Sequence, residues 1–226
     1  MAKYNVKGIN VGSFDLGEAD RVLTIFSAEK GPLKVIAKGS RKPGSKMSGR
    51  TDVLCVNELF LSSGRTFEII TQAQSIENFS SLRSNLASLS YGLYYAELTA
   101  CFGLGLEEES ERYFDYLMQS LTLLSKSEYD PLSLCMEFEI GLLDFLGYRP
   151  ELTFCIACRE ELSDYKLSRF NIELGGIVCS TCFARSRRPQ VREAADFDHD
   201  WAEIARGIHI TPLVWKTLVL CAAGTY

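Results

Sequence analysis

Two cysteine pairs lie close together in the second half of this 226-residue chain. Each pair encloses two residues, and twenty residues separate the pairs. This spacing is typical of a four-thiolate zinc site, because a two-residue gap lets both sulfurs of a pair turn toward one ion. Four thiolates leave no position for a reacting water, so the metal would stabilise folding and would not catalyse. The predicted ligands of one structural Zn²⁺ per chain are Cys155, Cys158, Cys179 and Cys182.

Other uses of these cysteines fit the sequence less well. A thioredoxin-like pair needs a CxxC at the start of a helix in a βαβ unit, which the surrounding pattern does not predict. The N-terminal stretch has no apolar signal-peptide core, so we expect a reducing compartment, where disulfides are rare. A four-cysteine iron–sulfur cluster stays open. The other cysteines lie in apolar runs and are expected to be buried: Cys55, Cys101, Cys135 and Cys221.

A second group of residues suits electrostatic binding. Residues 30–50 carry seven basic residues and no acid, although the formal net charge of the chain is −5. Since salt screens charges beyond about 8 Å, the local charge decides which partner approaches this segment. A nucleic-acid backbone is such a partner, and a solvated basic turn is the alternative. The predicted phosphate contacts are Lys34, Lys38, Arg41, Lys42, Lys46 and Arg50. Arg185, Arg187 and Arg188 either extend this surface or are solvated.

The sequence offers little for catalysis. His199 lies in the charged stretch DFDHD and is expected to be solvated, whereas His209 lies between two isoleucines and is expected to be half buried. No GxSxG, HExxH or P-loop motif occurs, and residues 42–46 lack the leading glycine of a P-loop. A zinc enzyme would need an open metal position or a second catalytic cluster. We therefore expect no enzymatic activity.

The elements that position these residues begin with a run of predicted strands. Five short segments are rich in Val, Ile, Leu and Phe and are separated by turn residues such as Gly17. Five strands in about 75 residues suit a small closed barrel, which has no exposed edges. An OB-type barrel is the leading prediction, and an SH3-like barrel is not excluded by the strand count. The predicted strands are 4–11, 21–27, 33–38, 54–62 and 67–76.

Helical spacing begins after Phe79. Helices are predicted over 80–102, over 107–127, from Asp130 to about residue 146, and over the terminal stretch after Thr211. Residues 184–200 are expected to form a linker or surface loop, and no apolar run is long enough to predict a membrane span. The apolar stripe of the first helix is predicted to be Leu82, Leu86, Leu89, Leu93 and Ala96, and that of the second Phe114, Leu117, Leu121 and Leu124.

The predicted fold class is α+β with two domains. An N-terminal five-stranded OB-type β-barrel that binds nucleic acid is expected over residues 1–79. A C-terminal all-helical domain is expected over residues 80–226, with the four-cysteine zinc knuckle as an insertion at about 152–183.

Three stretches, in this order, resemble the RecO family of bacterial DNA repair proteins. They are GEADRVLTIFSAEKGPLKVIAKGSRKPGSKMSG in the barrel region, FEIGLLDFLGYRPELTFCIAC up to the first cysteine pair, and GGIVCSTC at the second. The resemblance covers about residues 8–183, and the last forty residues match only loosely. Some members of the family lack the cysteines, whereas this chain has all four.

The resemblance implies a recombination mediator in the cytoplasm, associated with the nucleoid and not with a membrane. Such a protein is not an enzyme. It binds single- and double-stranded DNA without sequence specificity, anneals complementary strands and, with RecR, helps load RecA on DNA coated by single-strand-binding protein (SSB). RecF is a further implied partner. The alternative is a zinc-containing scaffold or adaptor whose barrel docks proteins and not DNA.

The acidic tail of SSB would meet an acidic helical segment. Residues 81–150 carry a net charge of −7, which argues against this segment as the dock for the tail unless a cation stands beside an apolar groove. The cations available there are Arg83, Arg112, Lys126 and Arg149.

Overall fold

Five strands at the start of the chain close into a barrel. The structure is a computed structural model that describes residues 3–126, 128–187 and 201–223. Neighbouring strands follow the order β1-β2-β3-β5-β4, β4 returns to β1, and only β3 and β5 are parallel. This is the Greek-key arrangement of an OB fold, so the OB-type prediction is confirmed. The strands are β1 (Lys3–Leu16), β2 (Asp20–Ser27), β3 (Gly31–Ala37), β4 (Val56–Ser62) and β5 (Glu68–Glu77).

The long first strand serves two neighbours. Its first half pairs with β4, and the rest pairs with β2 through a register shift between Asn10 and Gly12. Such a bulge bends a strand and lets it continue around a barrel. Asn10 is buried, and its Nδ2 donates a hydrogen bond to the Thr51 carbonyl oxygen at 2.6 Å. The barrel wall thereby holds the chain that leads into β4.

Four helices follow the barrel: α1 (Ser80–Ser84), α2 (Leu86–Phe102), α3 (Ser110–Leu124) and α4 (Pro131–Phe145). The single helix predicted over 80–102 is interrupted at Asn85, whose backbone is extended and whose side chain accepts hydrogen bonds from the first turn of α2. This is an N-cap, so the polar side chain replaces the missing helical partners. The predicted start of α4 is confirmed, because the Asp130 carboxylate accepts from the Ser133 backbone N–H at 2.9 Å.

The buried face of α2 differs from the predicted leucine stripe. Leu86 and Leu93 are exposed, by 79% and 43%. At Gly92 an added Cβ would lie 3.1 Å from the Leu82 side chain and 3.2 Å from that of Leu54, so the absence of a side chain allows close packing. The residues that α2 buries are Ser88, Gly92, Tyr95, Ala96 and Thr99. The stripe predicted for α3 is confirmed, since Phe114, Leu117, Leu121 and Leu124 are all buried.

The contacts divide the chain into two units, Met1–Phe138 and Glu139–Tyr226. The second unit contains a three-stranded sheet in the order β7-β6-β8, where β8 is a short strand near the end of the chain. Its elements are β6 (Leu167–Asn171), β7 (Gly176–Cys179), α5 (Ser180–Ser186), α6 (Trp201–Ile204), β8 (Ile208–His209) and α7 (Pro212–Ala223).

Predictions about the last part of the chain have mixed outcomes. The terminal helix is confirmed as α7. His209 is exposed in β8, so the prediction that it is half buried is wrong. Residues 184–186 belong to α5, and most of the predicted linker, including Arg188 and His199, lies outside the described residues. Among the described residues, no helix is both long and apolar enough to cross a membrane.

Candidate metal centre and nucleic-acid interface

The four predicted ligand cysteines come together in the second unit. Their sulfur atoms all lie within 4.8 Å of one another. The thiols of Cys155, Cys179 and Cys182 are buried, and Cys158 is exposed. The Cys158 and Cys179 sulfurs are 3.8 Å apart. This geometry confirms the predicted four-cysteine cluster, and it is compatible with one metal ion among the four sulfurs.

Backbone geometry turns the sulfurs of each pair inward. After the first pair, Arg159 adopts a left-handed conformation with φ of 60°, and its N–H donates to the Cys155 carbonyl oxygen at 2.9 Å. At the second pair, Cys179 ends β7 and caps α5, because its sulfur accepts from the Cys182 N–H at 3.4 Å. The Cys155 sulfur also accepts from the Cys179 N–H at 3.3 Å. The two turns are therefore joined directly through a thiol and a backbone amide.

A glycine permits the close approach of the two halves of the knuckle. Gly176 begins β7 and pairs with Glu151 just before the first cysteines. A Cβ at this position would lie 2.4 Å from the Ile156 side chain and 3.0 Å from the Glu151 carbonyl oxygen. Ile156 in turn donates its N–H to the Ile177 carbonyl oxygen at 3.0 Å. Only a residue without a side chain fits here.

The shifts in the thiol pKa values indicate that the cluster needs a cation to ionise fully. Burial raises the pKa of Cys182 and of Cys179, and the negative charge of the neighbouring Cys155 thiolate raises both further. Burial also acts on Cys155, but hydrogen bonds from backbone N–H groups outweigh it and lower the pKa of this thiol. Because thiolates this close repel one another, all four ionise together only around a cation. Sulfur donors suit Zn²⁺ and iron–sulfur clusters.

The residues predicted to bind phosphate lie on β3 and in the loop that follows it. This loop, residues 38–55, is called the basic loop below. Lys34 is exposed on β3, four others are exposed in the loop, and Arg50 is half buried at the end of a 3₁₀ turn, Ser48–Arg50. The loop is fixed at its start, because the Gly39 N–H donates to the Asp20 carboxylate at 2.7 Å and the Arg41 N–H donates to the Ala19 carbonyl oxygen at 3.0 Å. The β1–β2 hairpin therefore holds the basic loop.

Acids from other parts of the chain approach this segment. The Asp15 carboxylate lies 3.4 Å from the Arg21 Nε and 3.3 Å from an Arg41 Nη. The other Nη of Arg41 donates to the Gly17 carbonyl oxygen at 2.9 Å. Arg41 is thus engaged with the β1–β2 hairpin. Within residues 3–126, 128–187 and 201–223, five of the six predicted cations make no ion pair: Lys34, Lys38, Lys42, Lys46 and Arg50.

The helices cover part of the barrel surface. OB folds bind oligonucleotides on the face of strands 2 and 3 and with nearby loops. Here the Phe26 ring on β2 packs edge-on against Tyr113, with centroids 5.2 Å apart, and Pro32 on β3 packs against Gly103. Lys34, farther along β3, is exposed, as are the loop lysines that follow it. Sequence periodicity did not indicate this covering.

The four cations of segment 81–150 have different surroundings. Arg83 donates to the Val53 and Asn78 carbonyl oxygens, Arg112 pairs with Glu109, and Lys126 is exposed. Arg149 lines a cleft of about 370 Å³, whose apolar walls include Leu152, Val219 and Ala222. Its guanidinium donates to the Asp144 carboxylate and to the Ala222 carbonyl oxygen, both at 3.1 Å.

The cysteines outside the cluster are buried with one exception. Cys55, Cys135 and Cys221 are buried as predicted. Cys101 is exposed near the end of α2, so the prediction that it is buried is wrong. The error has the same cause as that in the leucine stripe, since Cys101 does not lie on the face of α2 that is buried.

Comparison with known proteins matches both halves of the chain. The family model described as recombination protein O N terminal matches residues 1–79, and that described as recombination protein O C terminal matches residues 83–195. The chain belongs to the RecO family. The family is one of DNA repair and recombination proteins, as the sequence resemblance implied.

Curated relatives are similar over most of the chain. The chain is 32% identical over 188 residues to a DNA repair protein RecO of Desulforamulus reducens, which covers 83% of this chain and 72% of that protein. It is also 32% identical over 183 residues to the RecO of Symbiobacterium thermophilum, with 80% and 72% covered. The RecO of Acetivibrio thermocellus is 32% identical over 187 residues, with 83% and 73% covered.

Proposed function

We propose that this chain is a mediator of DNA repair and recombination, and not an enzyme, that holds DNA through the basic loop of its barrel. The observation that carries the proposal is a group of exposed lysines on β3 and the basic loop of an OB-type barrel, which form no ion pair with any other described residue: Lys34, Lys38, Lys42 and Lys46. Lysine binds phosphate as a point charge, so this contact supplies affinity and carries little sequence information. Single- and double-stranded DNA are both bound in this way.

The remaining two predicted phosphate contacts, Arg41 and Arg50, contribute less to the proposal than the lysines. The Arg41 side chain is engaged with Asp15 and Gly17 of the β1–β2 hairpin, and Arg50 stays a predicted contact at the margin. The division into a DNA-binding barrel domain, residues 1–79, and a helical domain, residues 80–226, is part of the same proposal. The scaffold alternative gains nothing from the lysines, because lysine is depleted in protein–protein interfaces.

A salt series tests the DNA contact. We compare the wild type, Lys38→Ala/Lys42→Ala, and the control Lys126→Ala/Lys216→Ala, which removes the same net charge. Each lost contact to single-stranded DNA flattens the plot of log affinity against log salt by about 0.7, so the loop variant should lose about 1.4. The control should keep the wild-type slope. Equal slopes for the loop variant and the control would refute the proposal.

We further propose that the cysteine cluster binds one structural Zn²⁺. The closed set of four thiolates supports zinc as the metal. The ion would supply the positive charge that lets the buried thiols ionise. Metal analysis of the purified chain should give about one zinc per chain. Iron in stoichiometric amounts, with the absorption of an iron–sulfur cluster, would contradict this assignment.

The implied protein partners belong to the proposal as well. We propose RecR, RecF, RecA and the SSB tail as partners, annealing of complementary strands as an activity, and a cytoplasmic, nucleoid-associated location. For the tail, the cleft beside Arg149 offers a cation and apolar walls together. Titration of a labelled tail peptide should show weaker binding to Arg149→Ala than to Lys126→Ala. Equal affinities for both variants would remove this cleft as the tail site.

A further inference from the structure

Arginines stack on aromatic rings beside the cysteine cluster. The Arg169 guanidinium carbon lies 4.6 Å from the centre of the Phe183 ring, and that of Arg187 lies 5.8 Å from the same ring. The Arg185 guanidinium carbon lies 4.7 Å from the Trp201 ring centre. We call these five residues the arginine–aromatic cluster. Its members come from β6, α5 and α6, so folding of the second unit assembles it.

The segment of sequence that carries four of these five residues has an excess of positive charge. Residues 165–187 contain four basic residues and one acid, a net charge of +3 in a chain of net −5. The acid, Glu173, pairs with Arg206 at 3.1 Å. Arg187 is exposed, and among the described residues it makes no ion pair. The cluster therefore offers an accessible positive charge at the C-terminal end of α5.

The stacking determines what this charge can bind. A guanidinium lying over a ring keeps its N–H groups at the edge, where they donate to phosphate oxygens in pairs. Arginine planes and aromatic rings also stack on unpaired bases, which a duplex does not expose. We propose that the arginine–aromatic cluster binds single-stranded nucleic acid, as a second site of the same chain besides the basic loop. This inference rests on the proposed function only in the class of ligand.

A competing role for the arginines is charge balance. One Zn²⁺ held by four thiolates leaves an excess of two negative charges; Cys182 lies on the same helix as Arg185, and Arg187 directly follows that helix. Arginines that only offset this charge would hold the metal and would not bind nucleic acid. If Arg187 only balances charge, its replacement should release zinc. If Arg187 binds nucleic acid, its replacement should weaken oligonucleotide binding and leave the zinc content unchanged.

Tryptophan fluorescence isolates the second site. The chain has two tryptophans, Trp201 in the cluster and Trp215 in α7, whereas the barrel has none. A short oligothymidylate is titrated into the full-length Lys38→Ala/Lys42→Ala variant, in which binding at the basic loop is weakened. We expect saturable quenching of the tryptophan emission. Anisotropy of a labelled oligonucleotide, measured on the wild type in parallel, reports total binding.

Variants at the cluster complete the test. Arg187→Ala should weaken the quenching titration about fivefold, since it loses a phosphate contact and a stacking plane. Arg187→Lys should recover only part of the loss, because lysine keeps the charge without the plane. The control Arg206→Ala removes the same charge from a residue already paired with Glu173 and should stay close to wild type. All variants are compared for zinc content.

Two results would overturn the second site. Oligonucleotide binding by anisotropy without any tryptophan response would remove it and leave the proposed function standing. Loss of zinc from Arg187→Ala together with loss of quenching would assign the arginine to charge balance. The opposite outcome is also distinguishable. If quenching depends on Arg187 but the salt series shows no contact at the basic loop, the second site stands and the proposed loop contact is refuted.

Discussion

Replacement of one carboxylate should make the barrel bind DNA more tightly. Asp15 lies between Arg21 and Arg41, and its side chain is 54% exposed. Asp15→Asn keeps the shape of the side chain, removes one negative charge beside the basic loop and weakens the hold on Arg41. The loop stays anchored by the hydrogen bonds from Gly39 to Asp20 and from Arg41 to Ala19. We therefore expect the change to act on charge and not on the loop conformation.

The size of the effect follows from Coulomb's law. One unit charge about 8 Å from a phosphate in a water-like medium contributes roughly 0.5 kcal/mol, and salt reduces it further. This corresponds to about twofold tighter binding at low salt. If the released Arg41 then reaches a phosphate, the salt dependence for single-stranded DNA steepens by about 0.7.

Anisotropy of a labelled single strand across a salt series measures both quantities. Asp115→Asn, which neutralises an exposed carboxylate of α3, serves as the control for a general change in net charge. In an Arg41→Ala background the steeper slope should disappear, because the residue that makes the extra contact is absent. Binding by Asp15→Asn that is weaker than wild type, or unchanged in both affinity and slope, would refute the reasoning. Weaker binding would mean that Asp15 orders the loop in its binding conformation.

Three further predictions concern the stability of the second unit and of α4. Gly176→Ala should destabilise the knuckle by about 1–3 kcal/mol in denaturant unfolding, because its Cβ would clash with Ile156. The control is Gly49→Ala, which should have little effect because the space around its Cβ is open. Cys155→Ser should lower the zinc content and the thermal midpoint, whereas Cys101→Ser should change neither, and normal zinc in the first variant would contradict the ligand assignment. Hydrogen bonds at the start of α4 lower the pKa of Asp130, so its stabilising contribution is present above the pKa of the unfolded chain and is lost as the pH falls through the folded value. Asp130→Asn should reduce this acid dependence in thermal melts, and an unaltered pH profile would speak against the cap.

Much of the candidate site could be predicted because its signals are local. The two cysteine pairs specify their own tight turns, so spacing alone predicts that the four sulfurs meet. Alternating strands with turn residues between them predicted the barrel, and the order of the strands confirmed the OB type. The stripe of α3 followed from periodicity, since large apolar side chains fill its buried face.

The sequence by itself therefore determined the cysteine cluster, the strands of the barrel and the family of the chain. Only the tertiary structure decided which face of α2 is buried, since close packing at Gly92 depends on the shapes of neighbouring residues and not on hydropathy. It also brought Asp15 to Arg41, and it placed Arg169 and Arg187 around Phe183. Charge patterns read along a chain count neighbours in sequence, whereas electrostatic interactions depend on distance in space. For this physical reason a segment without acids in sequence has a carboxylate beside it in the folded protein.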